Sequence, residues 1–370
     1  MKITQLYVDR DVLDLPAAKA ICTRLDIPFQ IVHDPKEVYD PVARSESPVD
    51  TGKATLWLTR NKGKFVRPCP GTEQYTCCDY TILHIGTFCT MDCSYCILQS
   101  YFHPPVLQYF VNHADMEQSL DEVFARRQLM RIGTGEFTDS LIWETLYPYA
   151  ASLIRKFAGQ SSTVLELKTK TVNIDHLLGM AHNRKTILSW SLNTETIIKT
   201  DERHTAGLNA RFKAAAKSVA AGYPVAFHFD PMVIYQGCEN DYRDVITRLF
   251  TIIPPDRIVW ISLGTFRFKA DLKPVIEKRF DASTIVYGEF IKGLDGKMRY
   301  FKPLRISFYR MIIAHIRSIA PDVMVYFCME DDEVWYQSFG FTPKEKGGLP
   351  FMLDSSAERH CGLTNQELTV

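Results

Sequence analysis

The chain has 370 residues, with 43 Lys and Arg against 43 Asp and Glu. It therefore carries no overall field that would draw it onto a polyanion, and any nucleic-acid contact must come from a local patch. A hydrophobic content of 46%, a charged content of 23% and only 19 each of Gly and Pro exclude a disordered, collagen-like or low-complexity chain.

The N-terminus, MKITQLYVDRDVLDLP, places acids where a secretion signal needs an unbroken apolar run. No stretch reaches the ~18 apolar residues of a membrane span, so a cytoplasmic protein without membrane partners is expected. Residues 1–80 read as a mixed N-terminal extension, with a helix over 15–25, a strand at 28–32, a Pro- and Ser-containing loop and the strand-like TLWLTR.

From Thr81 the pattern becomes regular. The strand-like TILHIGTF leads into a cysteine loop, then a helix over 115–127, a strand at 129–135 and a helical stretch over 140–158. TVLELKT predicts a strand, VNIDHLLGMA a helix and TILSWSLN a strand, followed by a helix at 207–221 and the strand VAFHFDP. A helix at 240–252, the strand RIVWISLGT and a helix at 271–279 complete six strand-then-helix units. In one sheet such units require parallel strands and right-handed crossovers. The fold class expected is therefore α/β, a partial (β/α)6 barrel over 81–280 whose chemistry sits at the C-terminal ends of the strands. Residues 281–370 break the rhythm and read as a hairpin, a helix at 303–318 and the strand VMVYFCM.

Ten cysteines are too many to ignore in a chain that is too long to need disulfide staples. Cys22, Cys238, Cys328 and Cys361 are isolated and read as reduced thiols packed as small hydrophobes. Cys89, Cys93 and Cys96 form CTMDCSYC just after the first barrel strand. Three thiolates at this spacing bind three irons of a cubane and leave the fourth iron open to a ligand from outside the protein. A structural zinc would want a fourth ligand, from His84, His103 or a distant cysteine. CPGTEQYTCC adds Cys69, Cys77 and Cys78, either as an auxiliary metal site or as thiols buried under the entry strand.

The cysteine loop resembles that of radical S-adenosylmethionine (SAM) proteins. SYCILQSY, PVLQYFVN, RIGTGEFTDS, KTKTVNIDHLL, SWSLN, GYPVAFHFDP and FRFKADLKPVIEKRF, spread over about residues 53–310, are similar to the spore photoproduct lyases and their DNA repair photolyase-like relatives. That resemblance implies a [4Fe-4S] cluster on Cys89, Cys93 and Cys96, with SAM on its open iron. It implies SAM contacts from Thr138, Lys170 and Ser191, and a retained Tyr95 between the cluster cysteines. Hydroxyls and a cation at strand ends suit a carboxylate and a ribose.

Two departures stand out. The family's hydrogen-donating cysteine is Glu136 here, and the tyrosine after its last cluster cysteine is Ile97. A carboxylate O–H bond is too strong for hydrogen donation, so Glu136 is expected to hold the SAM ammonium instead. Tyr95 or Tyr101 then stand as candidate donors. His228 and Asp230 share one strand face and are candidates for the ribose or the substrate.

EFIKGLDGKMRYFKPLR predicts a hairpin around Asp295-Gly296 that carries Lys292, Lys297, Arg299, Tyr300 and Lys302; on the residues it reads either as a solvated charged hairpin or as a phosphate- and base-contacting one, and the resemblance implies DNA as its partner. The expectation is a radical SAM lyase acting on a damaged or modified pyrimidine in DNA and fed by an external reductant such as flavodoxin or ferredoxin. The alternatives are a radical SAM enzyme acting on RNA, a peptide or a small metabolite, and a non-catalytic Fe–S protein that binds nucleic acid or senses redox state.

Overall fold

The computed structural model describes residues 2–72 and 74–364. Its principal sheet runs, from one edge, Val325–Phe327, Ile258–Thr265, Val225–Met232, Thr186–Ser191, Thr163–Thr169, Met130–Gly133, Thr81–Leu83 and Val66–Pro68. Successive neighbours are parallel except at the last pair, where Val66–Pro68 runs antiparallel to Thr81–Leu83. The sheet curls into a half-barrel, the α/β architecture expected, with Val325–Phe327 adding a seventh parallel strand.

The central strands are largely buried on both faces because both faces are covered. All eight residues of Ile258–Thr265 are buried. Helix Cys238–Ile252 packs through Cys238, Tyr242, Val245, Ile246 and Leu249, a stripe at three- and four-residue spacing. Lys302–Ile319 does the same through Phe308, Tyr309, Ile312, Ile313 and Ile316.

Two helical expectations are corrected. Residues 172–181 form no α-helix: 173–179 are turns, with Ile174 N donating to Val172 O, Leu177 N to Ile174 O and Met180 N to Leu177 O, bonds that reach back two or three residues rather than the four of an α-helix. Within 140–158 only Ala150–Ala158 is α-helical. Asp139 draws the backbone N–H groups of Leu141 and Lys170 onto its carboxylate, and Pro148 disfavours helical geometry just before the helix begins.

The N-terminal part is a second sheet, ordered Phe29–Val32, Gln5–Asp9, Thr55–Thr59, Leu107–Phe110, Gly86–Thr87. Its first four strands are parallel, and Gln5–Asp9 escaped the sequence reading. The sheet takes its fourth strand from beyond the cysteine loop. Leu6, Val8, Leu56 and Leu58 consequently share one apolar cluster with Phe88, Cys89, Met91 and Leu98, so the extension forms the floor of that loop.

The C-terminal hairpin, Phe290–Lys292 and Met298–Tyr300, pairs with Arg267–Phe268 in a small antiparallel sheet. Helices Asp332–Phe339 and Leu349–Cys361 close the chain's described part. Among the described residues no helix is long and apolar enough to cross a membrane.

Candidate active site

The loop bearing Cys89, Cys93 and Cys96 is held from four sides. Lys53, 1% exposed, donates to Cys89 O at 3.0 Å and to Met91 O, and its Nζ lies 3.6 Å from Asp92. Arg279 reaches the same Asp92 at 2.9 Å and also donates to the Gln99 side chain. Gln99 Nε2 caps Cys93 O, Ser94 O and Cys96 O at 3.1, 2.9 and 3.3 Å. Ser94 is pinned to Asp201 through its backbone N–H at 2.8 Å and its hydroxyl at 2.5 Å. Sequence reasoning missed Lys53 and Arg279, because nothing in a lone lysine or arginine marks it as a clamp on a loop far along the chain, and missed Gln99, whose side-chain amide shows its role only once the loop folds back over it.

Burial pushes the Cys89 thiol up to about 12 and raises Cys93 as well, so both hold protons until a metal displaces them. Among the described residues no three His, Cys, Asp or Glu side chains converge on a single-ion position. A cubane asks for none, since each thiolate takes its own iron at a separate corner.

The strand ends around the loop carry the expected SAM residues. Thr138 is buried and its Oγ1 has no hydrogen-bond partner among the described residues. Lys170 places its ammonium 5.7 Å from the Tyr95 ring centre, among Cys93, Tyr95 and Glu202, and has no ion pair among the described residues. Ser191 closes its strand at 7% exposure, with its carbonyl accepting from Arg211 at 2.8 Å. Glu136 is partly exposed and lies 3.8 Å from Lys168.

Tyr95 departs from expectation. Its hydroxyl donates to Glu202 inside an apolar cluster. Burial works against the Glu202 carboxylate, but Arg211 at 2.5 Å, Lys170 and Tyr95 hold it below the usual range. The Tyr95 hydroxyl is thus buried and already partnered by a carboxylate. Tyr101 remains 41% exposed against Phe137.

Inside the barrel, Glu166 joins four segments. His228 Nε2 contacts its Oε1 at 2.7 Å, the Tyr80 hydroxyl donates to Oε2 at 2.8 Å, and Trp260 Nε1 lies 3.4 Å from Oε1. Tyr80 reaches it only because residue 133 is glycine, where a Cβ would stand 1.6 Å from the phenol oxygen. Asp230 is paired in a fork with Arg267, both contacts 3.0 Å. The two strand-face candidates thus each have a partner, His228 on Glu166 inside the barrel and Asp230 on Arg267 nearer the strand's C-terminal end.

The hairpin reading needs correction at two residues. Arg299 is 2% exposed, bonded to Asp295 at 2.8 Å and to Met329 O at 3.1 Å. Tyr300 is 4% exposed and its hydroxyl accepts from Ile234 N. Both brace the hairpin's base: as neighbours on one strand they leave it on opposite faces, Arg299 against Met329 and Tyr300 against Ile234, and both faces are covered. Lys297 pairs with Asp295, and Lys302 with Asp331 and Glu333. Lys292 is exposed, next to Ile291 at 47% and with Leu294 at the tip at 68%.

The donor set fits a cluster with SAM: three free thiols in a rigid loop, an unpartnered buried hydroxyl at Thr138 and an unpaired cation at Lys170. A half-barrel with such a loop after its first strand defines the radical SAM class of architecture. The chain belongs to the spore photoproduct lyase family, whose model matches residues 60–298. It is 30% identical over 209 residues to the spore photoproduct lyase of Bacillus subtilis, covering 55% of this chain and 61% of that protein. It is 27% identical over 230 residues to that of a Geobacillus strain, covering 59% and 63%. The alignments therefore span about three fifths of those relatives' lengths. A solved spore photoproduct lyase variant with bound AdoMet and dinucleoside spore photoproduct superposes with a TM-score of 0.78 at 21% identity, over 89% of this chain and all of that one.

Proposed function

We propose that this protein is a radical SAM lyase that repairs a thymine photoproduct in DNA. The observation that carries the reading is the family match over 60–298, which takes in the cysteine loop, six strands of the barrel and most of the hairpin in one stretch. The relatives named above are lyases of the spore photoproduct, and one solved relative holds that lesion as a dinucleoside.

Cys89, Cys93 and Cys96 would bind the cluster, and Thr138, Lys170, Ser191 and Glu136 would hold SAM. When bound and reduced by a flavodoxin- or ferredoxin-like donor, the pair supplies a 5′-deoxyadenosyl radical for hydrogen abstraction. The protein's own part is positional. Lys53, Gln99 and Arg279 fix the loop, and Lys170 sets a cation beside it for a carboxylate. Asp230 and Arg267 present polar groups at the mouth, and the exposed Ile291, Lys292 and Leu294 suit insertion beside an unstacked base. A reducing compartment such as the cytoplasm suits ten free thiols.

The test is anaerobic reconstitution with iron and sulfide, then dithionite, SAM and an oligonucleotide carrying the spore photoproduct. Formation of 5′-deoxyadenosine together with restored thymines is expected. SAM cleavage with an untouched lesion would exclude this substrate, and an intact cluster without SAM cleavage would exclude the enzyme.

A further inference from the structure

Three of the four isolated cysteines behave as small hydrophobes. Cys238 and Cys361 sit in the main apolar core, and Cys22 packs against the second cluster. Cys328 belongs to none of the apolar clusters found among the described residues. It stands one residue beyond the C-terminal end of strand Val325–Phe327, its backbone N–H tied to Leu263 O at 3.2 Å. Around it are Arg267, Asp230, Glu136 and Lys168, the polar groups of the barrel mouth.

Its surroundings tie it to the hairpin. Arg299, at the hairpin base, donates to Met329 O at 3.1 Å, and Lys297 Nζ lies 3.7 Å from Met329 Sδ. The Tyr75 hydroxyl accepts from Leu294 N at the hairpin tip, and Thr76 N donates to Glu330 O. A base displaced by the hairpin would therefore arrive over the turn that carries Cys328.

Abstraction of hydrogen from a substrate leaves a carbon radical that must regain one hydrogen atom. An S–H bond is weaker than the C–H bond formed, whereas the O–H of Glu136 is not. Resting on the lyase reading above, we propose that Cys328 is the catalytic residue that returns the hydrogen atom to the substrate-derived radical. In this step the Cys328 S–H bond breaks homolytically and a product C–H bond forms. The carbon radical is reduced, the sulfur becomes a thiyl radical, and no further oxidant or reductant enters. Burial pushes the Cys328 thiol up to about 11, so the sulfur carries the hydrogen it must give at neutral pH. Cys69 and Cys78 lie close enough to be the competing donors.

The thiol hydrogen exchanges with water, so the test is repair of a spore-photoproduct oligonucleotide in D2O. Wild-type protein should place one deuterium in the product. Cys328→Ala and Cys328→Ser should each lose about tenfold or more in thymine formed, while still making 5′-deoxyadenosine and keeping the cluster's iron. Cys69→Ala and Cys78→Ala should stay within about threefold of wild type. Equal repair and deuterium uptake by the Cys328 variants overturns the donor assignment alone, as does a loss that follows Cys69 or Cys78 instead. Wild-type protein that leaves the lesion untouched overturns the lyase reading and the donor with it.

Discussion

Lys53 shows how much of the site depends on single side chains outside any motif. Its ammonium is buried, satisfies two carbonyls of the cluster loop and sits beside Asp92. Breaking a buried pair while leaving the other charge in place costs about 3–5 kcal/mol, although Arg279 still partners Asp92 here. Lys53→Met should therefore cost about 2–4 kcal/mol in a urea titration and lower the iron bound per chain. Unchanged iron content would show that the loop needs no clamp. Glu136 acts at the same scale with the opposite expectation. Its carboxylate is 3.8 Å from Lys168 and partly open to solvent, so Glu136→Gln should leave iron content intact and weaken SAM binding about tenfold. Equal SAM affinity by equilibrium dialysis would remove it from the SAM site.

At the scale of elements, the hairpin carries the clearest division between bracing and contact. Arg299 and Tyr300 hold its base, whereas Lys292, Ile291 and Leu294 project from it. Lys292→Glu should weaken lesion-DNA binding and reduce its salt slope by about one counterion, while Leu294→Asp should weaken binding with little change in slope. Wild-type affinity and salt slope for both variants in a two-salt titration would detach the hairpin from DNA. The sequence made the hairpin legible through the Asp-Gly turn, but period-two alternation alone could not say which face would meet Met329 and Ile234. Similarly, the barrel strands were legible because doubly covered strands read as continuous apolar runs such as IVWISLGT. The segment VNIDHLLGMA has helical periodicity yet folds as turns, and the strand QLYVD was hidden because its partners lie tens of residues away. The cysteines proposed to hold the cluster are marked by local spacing, whereas Cys328 comes within reach of the Glu136 charge only through the curl of the sheet.

Across the whole molecule, the strands of the half-barrel are tied together by a polar hub as well as by apolar packing. Glu166 links its own strand to His228, to Trp260 on the next-but-two strand, and to Tyr80 at the entry strand. Burial alone would raise the Glu166 carboxyl, but the charge and hydrogen bond of His228, with help from Lys168 and Tyr80, bring it down to about 2. A carboxylate depressed in the folded state stabilises the fold fully above its unfolded value, about 4.3, and loses that contribution as pH falls through the folded value. Stability of the cluster-free chain should thus decline between about pH 4.5 and pH 2, with at most about 1.4 kcal/mol per pH unit from this one group. Glu166→Gln keeps the size of the side chain but cannot titrate, so its urea midpoint should start lower at pH 7 and fall less steeply below pH 4.5. If the two proteins lose stability in parallel across that range, the acid sensitivity lies in the surface carboxylates and the hub contributes shape alone. A separate consequence concerns the mouth, because His228 and Asp230 leave one strand toward Glu166 and Arg267 respectively. Glu166→Gln should then reduce repair of lesion DNA more than it reduces SAM cleavage without DNA, since the hub holds the strand that presents Asp230 and not the loop proposed to bind the cluster.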